Sequence, residues 1–320
     1  NLPGSVNVAA NWGNFVTIKL ADGKFVLLAH LVPGSAVLLP GAWVKPGDVV
    51  GRCGNFGRSP QPHIHMHVQT SAEAGAPTTP FHLANVMMSK GDATPKYELA
   101  IVPVEQTSLS LAGAGEVRPL YLMAGRGLRY TVAKNETLSA DWTLHCEVDE
   151  AGRLVLISSR GARCFAESNW AVFSCYERHG NADPFFDLWL LSCGFSPTSF
   201  QATAWEDHLV PARQLPMLRA RIAAALGWPW TAFARANYLR HWDEKAQVWS
   251  VQSSHTQKLT GFALNMESII TPQVGCTQIN ANVGGIRYVM QATSSFQKAD
   301  IGVPAWEVPL SAPTAMVRPV

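Results

Sequence analysis

The segment PQPHIHMHV, Pro60 to Val68, places His63, His65 and His67 at every second position. In an extended strand such residues share one face, so three imidazoles project together while Ile64, Met66 and Val68 are expected to fill an opposite, buried side. Neutral imidazole ligates zinc and serves as a general base near neutral pH, whereas clustered rings gain little from packing and repel one another once protonated. The spacing alone leaves two readings open, a metal or acid–base centre and an exposed strand face that is rich in histidine.

The elements ahead of this segment must position it. GNFVTIKLADGKFVLLAHL, Gly13 to Leu31, alternates at period two on both sides of Asp22-Gly23, with Val16, Ile18 and Leu20 on one face of its first arm. That pattern predicts a hairpin with a tight turn. From Val37 to Val68, β-favouring runs are cut by Pro40-Gly41, Pro46-Gly47, Gly51, Gly54 and Gly57. Breakers at such short spacing suit a compact antiparallel sheet and exclude long helices.

Three segments carry a likeness to a known family: the hairpin ending in Ala29-His30-Leu31, the VKPGDVVG run from Val44 to Gly51, and the Pro62-His63-Ile64-His65 strand. In their order and separations they resemble the lysostaphin-like, or LytM-type, zinc endopeptidases that cut peptidoglycan cross-bridges, over about residues 13–70. The resemblance implies one zinc ion with His65 as a ligand, and His30 and His63 as catalytic residues beside the metal-bound water. His67 stands where that family often has Glu or Gln, and is read either as a partner of the ligand or as a rim residue of the groove. The resemblance also implies a bacterial envelope protein, periplasmic or secreted, whose partner is peptidoglycan peptide.

The family's other two ligands come from a His-x-x-x-Asp element upstream of the hairpin, and the residues before Gly13 contain neither His nor Asp. The expectation is therefore an incomplete zinc site in an amino-terminally truncated enzyme, or else a degenerate member that binds the wall, or activates a hydrolase, without cutting. The His-x-x-x-Asp that the chain does contain, His179 to Asp183, lies between FSCYER and PFFDLW and reads as a turn between strands. Val44–Gly51 has a more distant likeness to hairpins of lipoyl carriers and sugar-phosphotransferase domains, which the close HxH strand and the lack of a carrier-lysine motif disfavour.

The expected fold class is mainly β. An antiparallel hydrolase domain of the duplicated-hybrid-motif type, incomplete, occupies 1–95, and a β-rich accessory domain with one amphipathic helix occupies 96–320. Between them, from Gln69 to Lys96, the composition shifts to Ala, Thr, Ser, Pro and Gly. Strands are predicted in RLVLISS, WAVFSCYE, FFDLWLLSCGF, AQVWSVQSS and GIRYVMQATSSF. The helix is predicted within 211–230, where Leu215, Leu218, Ile222 and Leu226 recur at helical spacing before Gly227 and Pro229. Its apolar stripe reads as packed on the sheet, with a basic face toward anionic lipid as the alternative.

Hydrophobic residues at 47% and charged residues at 15% support a buried core, and a net charge of +2 without a polybasic run gives no reason to expect nucleic acid. The apolar run IAAALGWPWTAFA is too short to span a bilayer, so no transmembrane span is predicted. Cys53, Cys146, Cys164, Cys175, Cys193 and Cys276 form no CxxC pair, which removes cysteine-metal readings and leaves disulfides and buried thiols both open. Trp142, Trp170, Trp189, Trp205, Trp242 and Trp249 are read as core residues.

Overall fold

The computed structural model describes residues 6–45, 47–112, 117–207, 234–257, 262–299 and 305–310. The amphipathic helix expected within 211–230 lies outside the described residues. The chain divides into two compact units, 1–82 and 83–320.

The first unit is a four-stranded antiparallel sheet in the order β1 (Asn14–Lys19), β2 (Phe25–Leu31), β3 (His65–Gln69), β4 (Thr78–Thr79). The predicted hairpin forms, with Val16 opposite Leu28 and Lys19 opposite Phe25. Its turn is closed by the Gly23 N–H donating to the Leu20 carbonyl, with Gly23 at φ +85°, a conformation that glycine adopts without steric cost. Asn14 opposes Leu31 while Val16 opposes Leu28, so β2 carries one extra residue there, a β-bulge.

Two expectations for this unit need correction. Ile64 and Met66 do not fill a buried side: they are 42% and 37% exposed, and of the three only Val68 is buried. The covered face of β3 is the histidine face, because Trp12 and the Asn55–Gln61 loop lie over it. Nor does the antiparallel sheet expected from Val37 to Val68 take in Val37–Gly51. The described residues of that run form no strand, and the bridges between Leu31 and Cys53 and between Gly54 and His63 come only after it. Gly41 and Gly47 sit at positive φ, and Trp43 is 97% exposed, so the run has neither a continuous ladder nor an apolar face to bury.

The second unit is built on one large sheet. Its strands are β5 (Leu83–Ser89), β6 (Lys96–Ile101), β7 (Ser108–Leu111), β8 (Arg126–Lys134), β9 (Thr137–Val148), β10 (Leu154–Ser158), β11 (Ala162–Ser168) and β12 (Val172–Gly180). After the helix α1 (Pro184–Cys193) follow β13 (Phe195–Pro197), β14 (Thr203–Asp207), β15 (Ala234–Asp243), β16 (Val248–Gln257), β17 (Phe262–Thr271), β18 (Gly275–Val283), β19 (Ile286–Gln297) and β20 (Trp306–Pro309). The strand order is 13-12-11-10-9-8-19-18-17-16-15-14-6-5-7, with β20 on β19, and every pairing is antiparallel except that of β14 with β6. The mainly β reading of the sequence holds, and four of the five strands predicted for this region form.

The fifth does not. FFDLWLLSCGF is helix α1, capped by Asp183, which accepts from the N–H groups of Phe185 and Phe186, and opened by Pro184. Both residues are strong helix-start signals. The reading of His179–Asp183 as a turn between strands is corrected with it: the segment leads from β12 into α1, and Asp183 is fully buried as the cap. Trp142, Trp189, Trp205 and Trp249 are core residues and Trp242 packs partly buried against them, whereas Trp170 is half exposed. The guanidinium of Arg240 is buried between the rings of Trp205 and Trp249 and donates to the carbonyls of Pro197 and Ser199.

Candidate histidine centre

His65 opposes Ala29 and His67 opposes Leu27, so both imidazoles lie on the face where β2 contributes small or buried apolar residues. His63 enters just ahead of β3, held by its N–H to the Gly54 carbonyl. His30 follows Ala29, and regular alternation would send its ring to the other face. The bulge and a left-handed backbone at His30, φ +64°, break that alternation. Its ring centroid consequently lies 4.8 Å from that of His63 and 6.0 Å from that of His65. A left-handed non-glycine residue costs on the order of 1 kcal/mol, and such strain concentrates at functional sites. His30, His63, His65 and His67 are thus brought into one cluster. His179 and Asp183 belong to the second unit.

Hydrogen bonds assign the tautomers. Gln69 donates through Nε2 to the carbonyls of Ser71 and Glu73, at 2.8 and 2.9 Å, which turns its Oε1 toward His67. His67 Nε2–H donates to that oxygen at 2.8 Å, leaving Nδ1 of His67 as an acceptor. His65 Nε2–H donates to it at 2.9 Å. The lone pair of His65 is therefore on Nδ1. His30 donates Nδ1–H to the Phe56 carbonyl at 2.8 Å, and His63 donates Nδ1–H to the Gln61 carbonyl at 2.9 Å. In the neutral tautomer these bonds select, each carries its lone pair on Nε2.

Burial, and then repulsion from His67, His30 and His63, lower the pKa of His65, which keeps the ring neutral and its lone pair available. Trp12 packs against His65 and His67, with centroids 5.1 Å from each. The described residues offer nitrogen donors of the kind that suits zinc, but no group of three or more His, Cys, Asp or Glu among them is arranged to hold a metal ion. The donor set is right in chemistry and short in number.

Sequence reasoning found the four histidines and missed Trp12 and Gln69. Gln69 had a signal, since it continues the period-two series 63, 65, 67 by one more step. Trp12 had none, because its position depends on the strand pairing. Replacing His67 by alanine should free the tautomer of His65. Long-range ¹H–¹⁵N correlation should show only Nε2–H on His65 in the parent protein and a mixture in the variant. An Nδ1–H form in the parent would refute the relay.

No curated protein and no solved structure matches the chain. Residues 3–79, which carry Trp12, the four clustered histidines and Gln69, match the family model of Peptidase family M23, and over that segment the chain is similar to this family of peptidases.

Proposed function

We propose that the first unit supplies the histidine side of a zinc endopeptidase centre that hydrolyses peptide cross-links of bacterial peptidoglycan, in the cell envelope. The clustering of the His30, His63 and His65 imidazoles, each with one ring nitrogen that accepts no hydrogen bond from the described residues, supports this reading above all other observations. His65 would ligate through Nδ1, with the remaining ligands supplied from outside the described residues. Zinc bound there would polarise the scissile carbonyl and lower the pKa of its water to about 7.

His30 and His63 lie beside that position with Nε2 turned away from the backbone carbonyls that hold Nδ1. One accepts a proton at Nε2 and returns it to the leaving amine; the other, once protonated, donates a hydrogen bond to the developing oxyanion. The carbonyls of Phe56 and Gln61 fix both rings through Nδ1, so neither has to reorient during the reaction. In this reading 1–95 is the peptidase portion and 96–320 an accessory domain that positions it on the wall. Among the described residues no helix is long and apolar enough to cross a membrane.

The short donor set favours one alternative, a non-catalytic module that binds wall peptide. Incubating the full gene product with purified peptidoglycan, with and without added zinc, separates the two. Zinc-dependent release of free amines is the expected result. Sedimentation with the wall but no amine release would replace the enzyme by the binder, and neither outcome would overturn both.

A further inference from the structure

Over β15 to β19 the large sheet has one face in the core and one outside it. Tyr238, Ser253, Met266 and Ala281 are buried on the core side, and their neighbours in sequence point outward. Register aligns those neighbours in two rows. Asn237, Ser254, Asn265, Asn282 and Arg287 stand opposite one another across successive strands, and Leu239, Gln252, Glu267 and Asn280 form a second row beside them. Both rows line an open groove of about 620 Å³. At 4.7–4.9 Å per strand, the first row is about 19 Å long. Strands disfavour asparagine, so Asn237, Asn265, Asn280 and Asn282 on one face weaken the sheet unless a ligand uses their amides. Asn280 accepts from Gln278 Nε2 at 3.3 Å and Asn282 from Gly285 N at 3.2 Å, whereas the side-chain amides of Asn237, Gln252 and Asn265 have no hydrogen-bond partner among the described residues.

We infer that this groove binds the glycan strand of peptidoglycan through the hydroxyl and acetamido groups of its sugars. That the polymer is peptidoglycan rests on the reading of the first unit as a wall peptidase; the class of ligand follows from the groove itself. A side-chain amide offers two donors and an acceptor in one plane, which matches sugar hydroxyls and pairs doubly with an acetamido group. Glu267 and Arg287 offset each other in charge, which suits an uncharged sugar backbone and gives no basis for holding a polyanion. Leu239, 41% exposed, supplies an apolar contact for the C–H face of a sugar ring. The backbones of β16, β17 and β18 are paired along both edges, so an extended peptide cannot add to them as a strand, and recognition falls to the side chains.

The test is calorimetric titration of the full chain with chitotetraose, the tetramer of N-acetylglucosamine, and with cellotetraose, its counterpart without acetamido groups. Chitotetraose should bind with a Kd on the order of 1 mM or tighter, and cellotetraose at least about tenfold more weakly. A Gln252→Thr/Asn265→Thr variant should lose at least about tenfold in affinity for chitotetraose. Its melting temperature should not fall, because threonine favours strands and neither amide has a partner among the described residues. No binding of chitotetraose, equal binding of cellotetraose, or unchanged affinity in the threonine variant would overturn the inference. His65→Ala should bind chitotetraose as the parent does; loss of binding there would move the sugar site to the histidine centre and overturn the groove. Zinc-dependent amine release without chitotetraose binding would sink the groove alone. Chitotetraose binding without amine release would leave the groove standing and sink the peptidase reading.

Discussion

Alanine at position 65 should weaken zinc uptake by the full gene product at least about a hundredfold and leave the fold intact. His65 is half-buried, and its removal costs one hydrogen bond to His67 and ring contacts with Trp12, His30 and His67. A melting shift of no more than about 3 °C is therefore expected. The effect on the metal is larger because Nδ1 of His65 is the lone pair that the Gln69–His67 relay holds in place. His30→Ala is the discriminating companion. Under the proposed roles His30 carries a proton and does not ligate, so its variant should leave zinc affinity within about tenfold while peptide hydrolysis is lost. Competition with a chromogenic chelator reads the first quantity and amine release from peptidoglycan the second. Unchanged affinity in His65→Ala, or equal loss in His30→Ala, would show that the roles of ligand and proton carrier are assigned to the wrong rings.

The centre was legible in the sequence to the extent that local periodicity determines it. A period-two histidine run and a hairpin with Asp22-Gly23 at its turn specify strands and faces from neighbouring residues alone, and β1 to β3 form accordingly. Which face is covered is a different matter, because it depends on what other chain lies over it. Trp12 and the Asn55–Gln61 loop cover the imidazoles, leaving Ile64 and Met66 to solvent. His30 reaches the cluster through a bulge and a left-handed backbone, and no residue type at that position announces either.

In the second unit, the missed helix has a similar cause. α1 is buried over nearly its whole length, including Phe185, Phe186, Leu188, Trp189, Leu190 and Leu191. A helix that is apolar all round shows no 3.6-residue period, and in a chain full of strands such a run reads as one more. The start signals were present in Asp183-Pro184, but a Gly-Asn-Ala-Asp-Pro run is also what a turn looks like.

That cap is where the second unit is expected to be most sensitive. Asp183→Ala should destabilise it by about 4 kcal/mol, and lower its melting temperature by about 10 °C. One carboxylate oxygen accepts from Phe185 N and Phe186 N at 3.1 and 3.4 Å, and the other accepts from Trp142 Nε1 at 2.9 Å. Loss of a helix cap costs about 1–2 kcal/mol, and a buried indole N–H left without an acceptor about 1–3 more. Trp142 and Asp183 are both at 0% exposure, so water does not substitute. Asp183→Asn should cost less, because its amide oxygen still serves either the cap or the indole. The cycle with Trp142→Phe separates the two contributions. With the indole N–H removed, Asp183→Ala should cost only the cap, about half of its effect in the parent protein. Additive costs in that cycle, or a shift of less than about 3 °C for Asp183→Ala alone, would show that α1 is held by its apolar burial and not by its cap.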